Sequence, residues 1–258
     1  MHVGDLWVDV RGTGDTLLFL HGIGGNHRNW APQLAHFGGM WKAAAWDARG
    51  YGDSAGKVAR FEDFADDAAG VIAALGSPAH VVGLSMGGRI ALDLVKRHPG
   101  HVRSLTLADT SAGSAATAAP EKVAAFLALR LKPLVEDGLN PADIAGSIVA
   151  EIAGPSISDD GRESLLDSHR RLRTDGYVAA MRAVTGFTDF PPFESIRVPT
   201  LVLTGSEDRV APPAHARMMA ERIPGARFVE LAGAGHISNI EAPAAFNAAL
   251  AAFLDSLA

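Results

Sequence analysis

The chain has 258 residues, of which 48% are hydrophobic and 20% are charged, and its formal net charge is -6. This composition is typical of a globular enzyme, and the acidic balance argues against nucleic acid or an anionic membrane surface as partner, because both require a basic face. The absence of cysteine excludes disulfides, thiol nucleophiles and cysteine-ligated metals.

The N-terminal segment shows no targeting signal. Residues 1–5 lack a basic stretch followed by an apolar run, and no part of the chain approaches the ~20 continuous apolar residues that a transmembrane helix needs. We therefore expect a cytoplasmic protein that does not contact a membrane. The sequence leaves open whether the chain forms a homo-oligomer.

Short apolar runs predict the strands of a sheet. Leu6–Val10 alternates like an exposed strand, and the other runs are continuous, which is typical of strands covered on both faces. These continuous runs are Thr16–Leu20, Lys42–Trp46, His80–Leu84, Val102–Ala108, Thr200–Thr204 and Arg227–Leu231. Helical patterns lie between them at Trp30–Phe37, Phe61–Leu75, Met86–Arg97, Pro213–Ile223 and Pro243–Leu257. Strands that alternate with helices predict an α/β fold with a mostly parallel sheet and helices on both faces.

The segment 111–195 interrupts this alternation. It has helical periodicity but no convincing strand, and strand patterns resume at Thr200. We therefore divide the chain into a core domain, residues 1–110 and 196–258, and a helical cap, residues 111–195. An insertion at the C-terminal edge of a parallel sheet would lie over the region where such folds bind their ligands.

A candidate nucleophile stands between a predicted strand and a predicted helix. The sequence Gly83-Leu-Ser85-Met-Gly87 follows His80–Leu84 and begins the helix Met86–Arg97. A serine on such a sharp turn exposes its hydroxyl, and the glycines relieve the crowding of the turn. The N-terminus of the helix adds a partial positive charge near a developing oxyanion. This context favours Ser85 as nucleophile over a chance match or a merely tight turn.

Two backbone N–H groups are candidates for an oxyanion hole. The first is that of Met86, directly after the predicted nucleophile, and the second is that of Ile23, in the loop His21-Gly-Ile-Gly-Gly25 after an early strand. A plain glycine-rich turn is the alternative for this loop. A dinucleotide fingerprint would require glycine at position 27, where the chain has His27.

A serine hydroxyl is a weak nucleophile unless a base accepts its proton. His236 is our candidate, because it stands on a short loop between the last strand and the final helix, where the histidine of a nucleophile–acid–histidine order belongs. Asp208 follows the strand Thr200–Thr204 and is the preferred acid, with Asp109 and Glu207 as alternatives. No histidine pair has the spacing of zinc ligands, so we expect no metal.

These motifs together resemble the α/β-hydrolase superfamily. The resemblance rests on His21-Gly22, Asp47–Ser54, Gly83–Gly88, Gly205–Asp208 and Gly235-His236, which stand in the expected order from residue 21 to 236. Within it, the chain is most similar to the 3-oxoadipate enol-lactonases, on the stretches Gly83–Gly88, Asp175–Ala180 and His236–Pro243. The resemblance implies an α/β-hydrolase fold and the opening of a ring ester that bears a carboxylate, without a cofactor.

We therefore expect a cofactor-independent serine hydrolase that cleaves a small carboxylic ester or lactone through an acyl-enzyme. Two alternatives stay open: a carbon–carbon hydrolase of vinylogous diketones, and a non-catalytic protein that retains the ligand pocket. If the substrate carries a carboxylate, an arginine of the cap is the cation that fits it best. Arg130 ranks first, because it shares an apolar helix face with Phe126 and Leu127. The alternatives are Arg89, beside Ser85, and the other arginines of the cap, which are Arg162, Arg170, Arg171, Arg173 and Arg182.

Overall fold

The computed structural model describes residues 1–112 and 120–257, and in these residues the chain forms an eight-stranded sheet. The strands are β1 (His2–Val3), β2 (Leu6–Arg11), β3 (Thr16–Leu20), β4 (Lys42–Trp46), β5 (Ala79–Leu84), β6 (Val102–Ala108), β7 (Thr200–Gly205) and β8 (Arg227–Leu231). Their order in the sheet is β1-β2-β4-β3-β5-β6-β7-β8. The pairs β1–β2 and β2–β4 are antiparallel, and every other pair is parallel. The predicted α/β fold with a mostly parallel sheet is confirmed.

Helices connect the strands, and several of them begin with proline, whose fixed φ suits the first helical position. They are α1 (Ala31–Phe37), α2 (Glu62–Leu75), α3 (Met86–Arg97), α4 (Pro120–Val135), α5 (Pro141–Ile152), α6 (Asp159–Arg170), α7 (Thr174–Gly186), α8 (Pro213–Arg222), α9 (Ser238–Glu241) and α10 (Pro243–Asp255). None of the helices in the described part of the chain is long and apolar enough to cross a membrane.

The core consists of two apolar layers, one on each face of the sheet. Successive residues of a strand point to opposite faces. In β3, Leu18 therefore packs in the layer that contains Phe64 of α2, whereas Leu17 packs in the layer that contains Leu34 of α1 and Phe246 of α10. Burial of each such side chain contributes about 1.5–3 kcal/mol, so both layers hold the sheet rigid. A rigid sheet fixes the loops at its C-terminal edge.

The strand Arg227–Leu231 is less buried than predicted. It forms β8, but only Leu231 is buried, and the other four residues are partly or fully exposed. The prediction of a strand covered on both faces is therefore wrong here, because β8 is an edge strand that pairs with β7 alone. The two-residue strand β1 and the four-residue helix α9 were not predicted, since segments this short show no period.

Helices α4 to α7 lie between β6 and β7, within the range 111–195 that the sequence assigns to a cap. Residues 113–119 of that range lie outside the described residues. The described part of the range contains no strand. It contacts the core near the C-terminal ends of the strands: Asn29 Nδ2 donates to Ser168 Oγ of α6 at 2.9 Å, and His236 N donates to Ile152 O of α5 at 3.3 Å.

Candidate active site

Ser85 occupies the one-residue turn between β5, which ends at Leu84, and α3, which begins at Met86. Its φ of 54° lies in the left-handed region, which is unusual for a residue other than glycine and is found at functional sites. The turn is so tight that a Cβ added to Gly83 would lie 2.2 Å from the carbonyl oxygen of Gly87. Packing of the strand against the helix therefore requires glycine at position 83.

Ser85, His236 and Asp208 form a continuous chain of hydrogen bonds. Nε2 of His236 lies 2.9 Å from Oγ of Ser85, and Nδ1 of His236 lies 2.9 Å from Oδ2 and 3.1 Å from Oδ1 of Asp208. Because a carboxylate only accepts hydrogen bonds, Nδ1 of a neutral His236 carries the proton. The lone pair of Nε2 then faces the Ser85 hydroxyl, which can donate to it.

The loop after β7 holds the Asp208 carboxylate in place. Asp208 is buried, and its Oδ1 also accepts from the N–H groups of Val210 and Ala211, each at 2.8 Å. Glu207, the neighbour that the sequence left as an alternative, is exposed. The third acid, Asp109, is fully buried but directs its oxygens elsewhere: Oδ1 accepts from Gly205 N at 2.9 Å, and Oδ2 accepts from the N–H and the hydroxyl of Ser238.

The surroundings of His236 raise its pKa. Burial of the imidazole lowers the pKa, but the hydrogen bond and the charge of Asp208 outweigh burial, so the pKa of His236 lies above its ordinary value of 6.5. A histidine can both accept and return a proton, which is what general acid–base chemistry needs.

Ile23 and Met86, whose N–H groups the sequence predicts as oxyanion donors, line the same cavity as Ser85 and His236. Neither N–H group donates to an acceptor within residues 1–112 and 120–257. The loop of Ile23 is held by His21, whose Nε2 accepts from Ala48 N at 3.0 Å and whose Nδ1 donates to Gly22 O at 2.8 Å. Both N–H groups are therefore available to a ligand at this site.

The cavity that contains Ser85 and His236 has a volume of about 690 Å³. The helical segment supplies much of its wall: Phe126, Arg130, Ile148, Glu151, Tyr177 and Met181. Arg130, the predicted substrate-binding residue, is thus at the cavity, but its Nη1 lies 2.5 Å from Oε2 of Glu151. Its charge is paired within the protein. Arg89 and Arg209 are the further arginines that line this cavity in the described residues.

One group in the described residues brings three candidate metal-ligand atoms within 4.8 Å of one another: His27, Asp47 and Asp53. Hydrogen bonds account for this arrangement. Oδ1 of Asp47 accepts from the N–H of His27 at 2.7 Å and contacts its Nδ1 at 2.9 Å, and Oδ2 accepts from Asp53 N at 2.8 Å. In the same loop Arg49 pairs with Asp67 of α2. The loop is braced mainly through Asp47.

Glu241 is a site-supporting residue that the sequence did not single out. Its carboxylate accepts from Gly235 N at 2.8 Å and Ile237 N at 3.2 Å, on either side of His236, and from Gly154 N at 3.1 Å, after α5. Glu241 therefore ties the loop of His236 to the helical segment. The only available signal was its position inside the stretch His236–Pro243, on which the resemblance rests.

Comparison with known families agrees with this geometry. A family model described as the alpha/beta hydrolase family matches residues 17–249. The chain belongs to the alpha/beta hydrolase family. The match spans all three hydrogen-bonded residues and the loop of Ile23, so this α/β hydrolase carries its candidate site within the part that defines the family.

The relatives of this α/β hydrolase include esterases and lactonases. The chain is 30% identical to pimeloyl-[acyl-carrier protein] methyl ester esterase of Neisseria meningitidis serogroup B over 242 residues, which are 88% of each chain. It is 28% identical to 3-oxoadipate enol-lactonase 2 of Acinetobacter baylyi over 244 residues, 92% of this chain and 88% of that one. The solved enol-lactonase of Burkholderia xenovorans LB400 is 28% identical with a TM-score of 0.82, covering 97% and 96% of the two chains. The resemblance to enol-lactonases is confirmed, and the chain is a hydrolase.

Proposed function

We propose that this hydrolase cleaves a small carboxylic ester or lactone through an acyl-enzyme, with Ser85 as nucleophile, His236 as base and acid, and Asp208 as the residue that orients His236. The observation that carries the proposal is the hydrogen-bond chain from Ser85 Oγ through His236 to Asp208 at the wall of a substrate-sized cavity. Relatives named esterase and enol-lactonase support the substrate class.

The first half of the reaction forms the acyl-enzyme. Oγ of Ser85 bonds to the ester carbonyl carbon while Nε2 of His236 takes the hydroxyl proton. The carbonyl oxygen becomes an oxyanion, for which the N–H groups of Ile23 and Met86 are the proposed donors. The imidazolium of His236, stabilised by Asp208, then gives its proton to the leaving oxygen as the carbon–oxygen bond breaks. In a lactone this oxygen stays tethered to the acyl group.

The second half releases the acid. His236, neutral again, takes a proton from a water molecule, whose oxygen bonds to the acyl carbon. The new tetrahedral intermediate collapses when the bond to Oγ breaks, and His236 returns the proton to Ser85. Water, ester, acid and alcohol balance across the two halves, and neither half uses a cofactor.

We further propose that residues 111–195 form a cap that determines which substrates enter. Helices α4, α5 and α7 supply side chains to the cavity wall, whereas Ser85, His236 and Asp208 come from loops of the sheet. The reacting residues and the residues that select the substrate thus lie in different parts of the chain. Residues of the cap can therefore change without disturbing the hydrogen-bond chain.

Ser85→Ala tests the proposal. We expect a loss of at least ~10³-fold in kcat for a chromogenic short-chain ester, because the variant lacks the hydroxyl that lies 2.9 Å from Nε2 of His236. His236→Ala should lose a similar amount, and the double variant should lose little more, since the two residues act as one unit. The measurement is initial rates of hydrolysis together with a thermal melt.

The matched control is Ser256→Ala, at the end of α10 and remote from the cavity. We expect this variant to keep the wild-type rate. Turnover by Ser85→Ala near the wild-type rate, with an unchanged melt, would show that the nucleophile lies elsewhere.

A further inference from the structure

The cap helices divide between the two apolar layers of the core. The layer that contains Phe64 of α2 also contains buried side chains of α4 and α7, which are Leu131, Leu134, Tyr177, Ala180, Met181 and Val184. The opposite layer, which contains Phe246 of α10, includes Val149 of α5 and Leu165 of α6. The cap therefore consists of two halves, α4 with α7 and α5 with α6, and each half is anchored to a different face of the sheet.

The cavity that contains Ser85 and His236 lies at the seam between these halves. Its wall includes Phe126 and Met181 from the half formed by α4 and α7, and Ile148 from α5. Apolar packing across the seam is sparse: in the described residues, Ile144 is the only side chain of α5 or α6 that packs in the layer of α4 and α7. A substrate in this cavity therefore contacts both halves of the cap.

One ion pair of the described residues joins the two halves. Nη1 of Arg130 in α4 lies 2.5 Å from Oε2 of Glu151 in α5, and both residues line the cavity. The side chain of Arg130 is 23% exposed and that of Glu151 is 53% exposed, so the pair stands at the solvent-facing rim of the cavity. The other ion pairs between described cap residues each stay within one half: Lys132–Asp137, Arg170–Glu163 and Arg171–Asp167.

An ion pair as exposed as Arg130–Glu151 is weak. Solvent screening and the entropy of two long side chains limit such pairs to a shift of at most ~5-fold in a local equilibrium. The connection between α4 and α5 is also loosely packed, because Gly138 has a φ of 73° and an added Cβ there would meet no atom within 4 Å. The pair is thus strong enough to favour one arrangement of the halves and weak enough to open.

We propose that the Arg130–Glu151 pair is a specificity-determining latch, which holds the two cap halves together at the rim of the cavity and must open for bulky esters. The proposal rests on the proposed function and identifies the residues through which the cap selects substrates by size. Slim esters bind while the latch is closed. Bulky esters require the open arrangement, so the pair penalises only their binding.

The kinetic test compares two neutral esters that share a leaving group: para-nitrophenyl butyrate, whose acyl chain is slim, and para-nitrophenyl diphenylacetate, whose acyl group is bulky. For each enzyme the measured quantity is the ratio of kcat/KM for the bulky ester to kcat/KM for the slim ester. We expect this ratio to rise by ~2- to 5-fold in Glu151→Gln, because an uncharged amide cannot form the ion pair.

Reversal of charge separates a latch from a mere contact with the bulky acyl group. Arg130→Glu and Glu151→Arg should each raise the ratio, because like charges repel across the seam. The double variant restores opposite charges in exchanged positions, so its ratio should return toward that of the wild type. High salt screens an exposed pair, so 1 M NaCl should raise the ratio in the wild type but not in Glu151→Gln.

The matched control is Glu163→Gln. It breaks the Arg170–Glu163 pair, which has the same residue types and the same 2.5 Å distance but lies within α6, where neither residue lines the cavity. The ratio for this variant should equal that of the wild type.

Opening of the cap can also be measured without catalysis. The chain contains no cysteine, so spin labels can be attached to Leu129→Cys in α4 and Ser147→Cys in α5, both of which are exposed positions. Double electron–electron resonance should show an additional, longer distance between the labels when Glu151→Gln is introduced. Labels on Leu129→Cys and Arg182→Cys, an exposed position of α7, lie within one half and should keep their distance.

The outcomes separate this proposal from the proposed function. If the wild type hydrolyses neither ester, the proposed function fails, and the label distances still decide on the latch. If it hydrolyses both and the ratio is unchanged in Glu151→Gln and in the charge-reversal variants, ester hydrolysis stands and the latch is wrong. A ratio that rises while the distances between labels 129 and 147 stay the same also overturns the latch. Should a charge-reversal variant not fold, Glu151→Gln and the salt dependence decide.

Discussion

At the scale of single residues, the proton affinity of His236 is set by its partner. Asp208 contacts Nδ1 at 2.9 Å from a buried position, and this contact raises the pKa of His236 despite the opposing effect of burial. The same contact fixes the tautomer that leaves Nε2 free to face Ser85. In the proposed reaction, Asp208 thus controls both the direction of proton transfer and the pH at which it can occur.

The effect of Asp208 on the pKa of His236 predicts a specific pH dependence of kcat/KM. Only neutral His236 can accept the Ser85 proton, so kcat/KM should fall as the pH falls through the pKa of His236, with an inflexion above 6.5. In Asp208→Asn the negative charge is lost, so the inflexion should move to lower pH and kcat should drop by ~10⁴-fold. Profiles of kcat/KM against pH for a neutral ester test both expectations.

The neighbouring acid supplies the control for this experiment. Glu207 is exposed and makes no side-chain contact with His236 in the described residues, so Glu207→Gln should keep the wild-type inflexion and rate. An inflexion that moves in Glu207→Gln, or one that stays in place in Asp208→Asn, would contradict the assignment of Asp208.

The sequence was informative about residues whose role follows from chain order. Ser85, Asp208 and His236 each follow a recognisable strand, and parallel strands bring their C-terminal ends to one edge of a sheet, where the structure shows these three side chains in contact. The sequence could not show that Arg130 pairs with Glu151 or that Glu241 accepts several hydrogen bonds. Such contacts depend on how separate helices pack, and no local pattern encodes that packing.

At the scale of elements, close contact between α3 and β3 holds the turn of Ser85 against the loop of Ile23. Gly87 lies in the first turn of α3. A Cβ added there would lie 2.1 Å from the carbonyl oxygen of Leu20 and 3.0 Å from that of His21. These carbonyls belong to the end of β3 and the start of the loop of Ile23. The spacing of the two proposed oxyanion donors therefore depends on the absence of a side chain at position 87.

Gly87→Ala should reverse the usual effect of replacing glycine by alanine within a helix. Elsewhere this change stabilises by about 0.5–1 kcal/mol, but at position 87 the methyl group would force α3 away from β3. We expect a lower melting temperature and a loss of kcat of ~10-fold or more, since displaced oxyanion donors cost ~10²–10³-fold when one is lost entirely.

Gly70→Ala is the matched control, because Gly70 is an exposed residue inside α2 and an added Cβ there meets no atom within 4 Å. This control should keep full activity and gain stability. A Gly87→Ala enzyme that behaves like Gly70→Ala would show that the contact between α3 and β3 does not determine the site.

The bounds of the strands were predicted better than their burial, and the reason is physical. Buried strands such as β3 and β6 appear as continuous apolar runs, and their predicted ends agree with the structure. The run in β8 contains Arg227 and Glu230, both exposed, and the exposure of the strand also depends on having a neighbour on one side only, which is a property of sheet order. Local sequence specifies the strand, whereas the topology specifies its environment.

At the scale of the whole molecule, Asp109 joins three parts of the chain that are distant in sequence. It directly follows β6 and has a φ of 44°, and its carboxylate accepts from Gly205 at the end of β7 and from Ser238 at the start of α9. Burial, together with the charge of Asp208, raises the pKa of Asp109 to about 7. A network that holds the C-terminal edge of the sheet together therefore contains an acid that resists ionisation.

This acid should make global stability depend on pH. In the unfolded chain an aspartate ionises near its ordinary value of 3.8, whereas folded Asp109 keeps its proton until about pH 7. Between these values the folded state binds one more proton than the unfolded state, so the contribution of Asp109 to stability falls as the pH rises and is lost above pH 7. Asp109→Asn removes this titration, and asparagine tolerates a positive φ better than most residues.

We therefore expect the free energy of unfolding of Asp109→Asn minus that of the wild type to increase as the pH rises. The slope should approach ~1.4 kcal/mol per pH unit below the pKa of Asp109 and flatten above it. A constant offset is superimposed on this trend, because the amide has one acceptor oxygen and cannot serve both Gly205 and Ser238. Urea unfolding of both proteins at pH 5, 6, 7 and 8 measures the difference directly. A difference that is the same at all four values would mean that Asp109 titrates alike in the folded and unfolded chains, and that burial does not hold its proton.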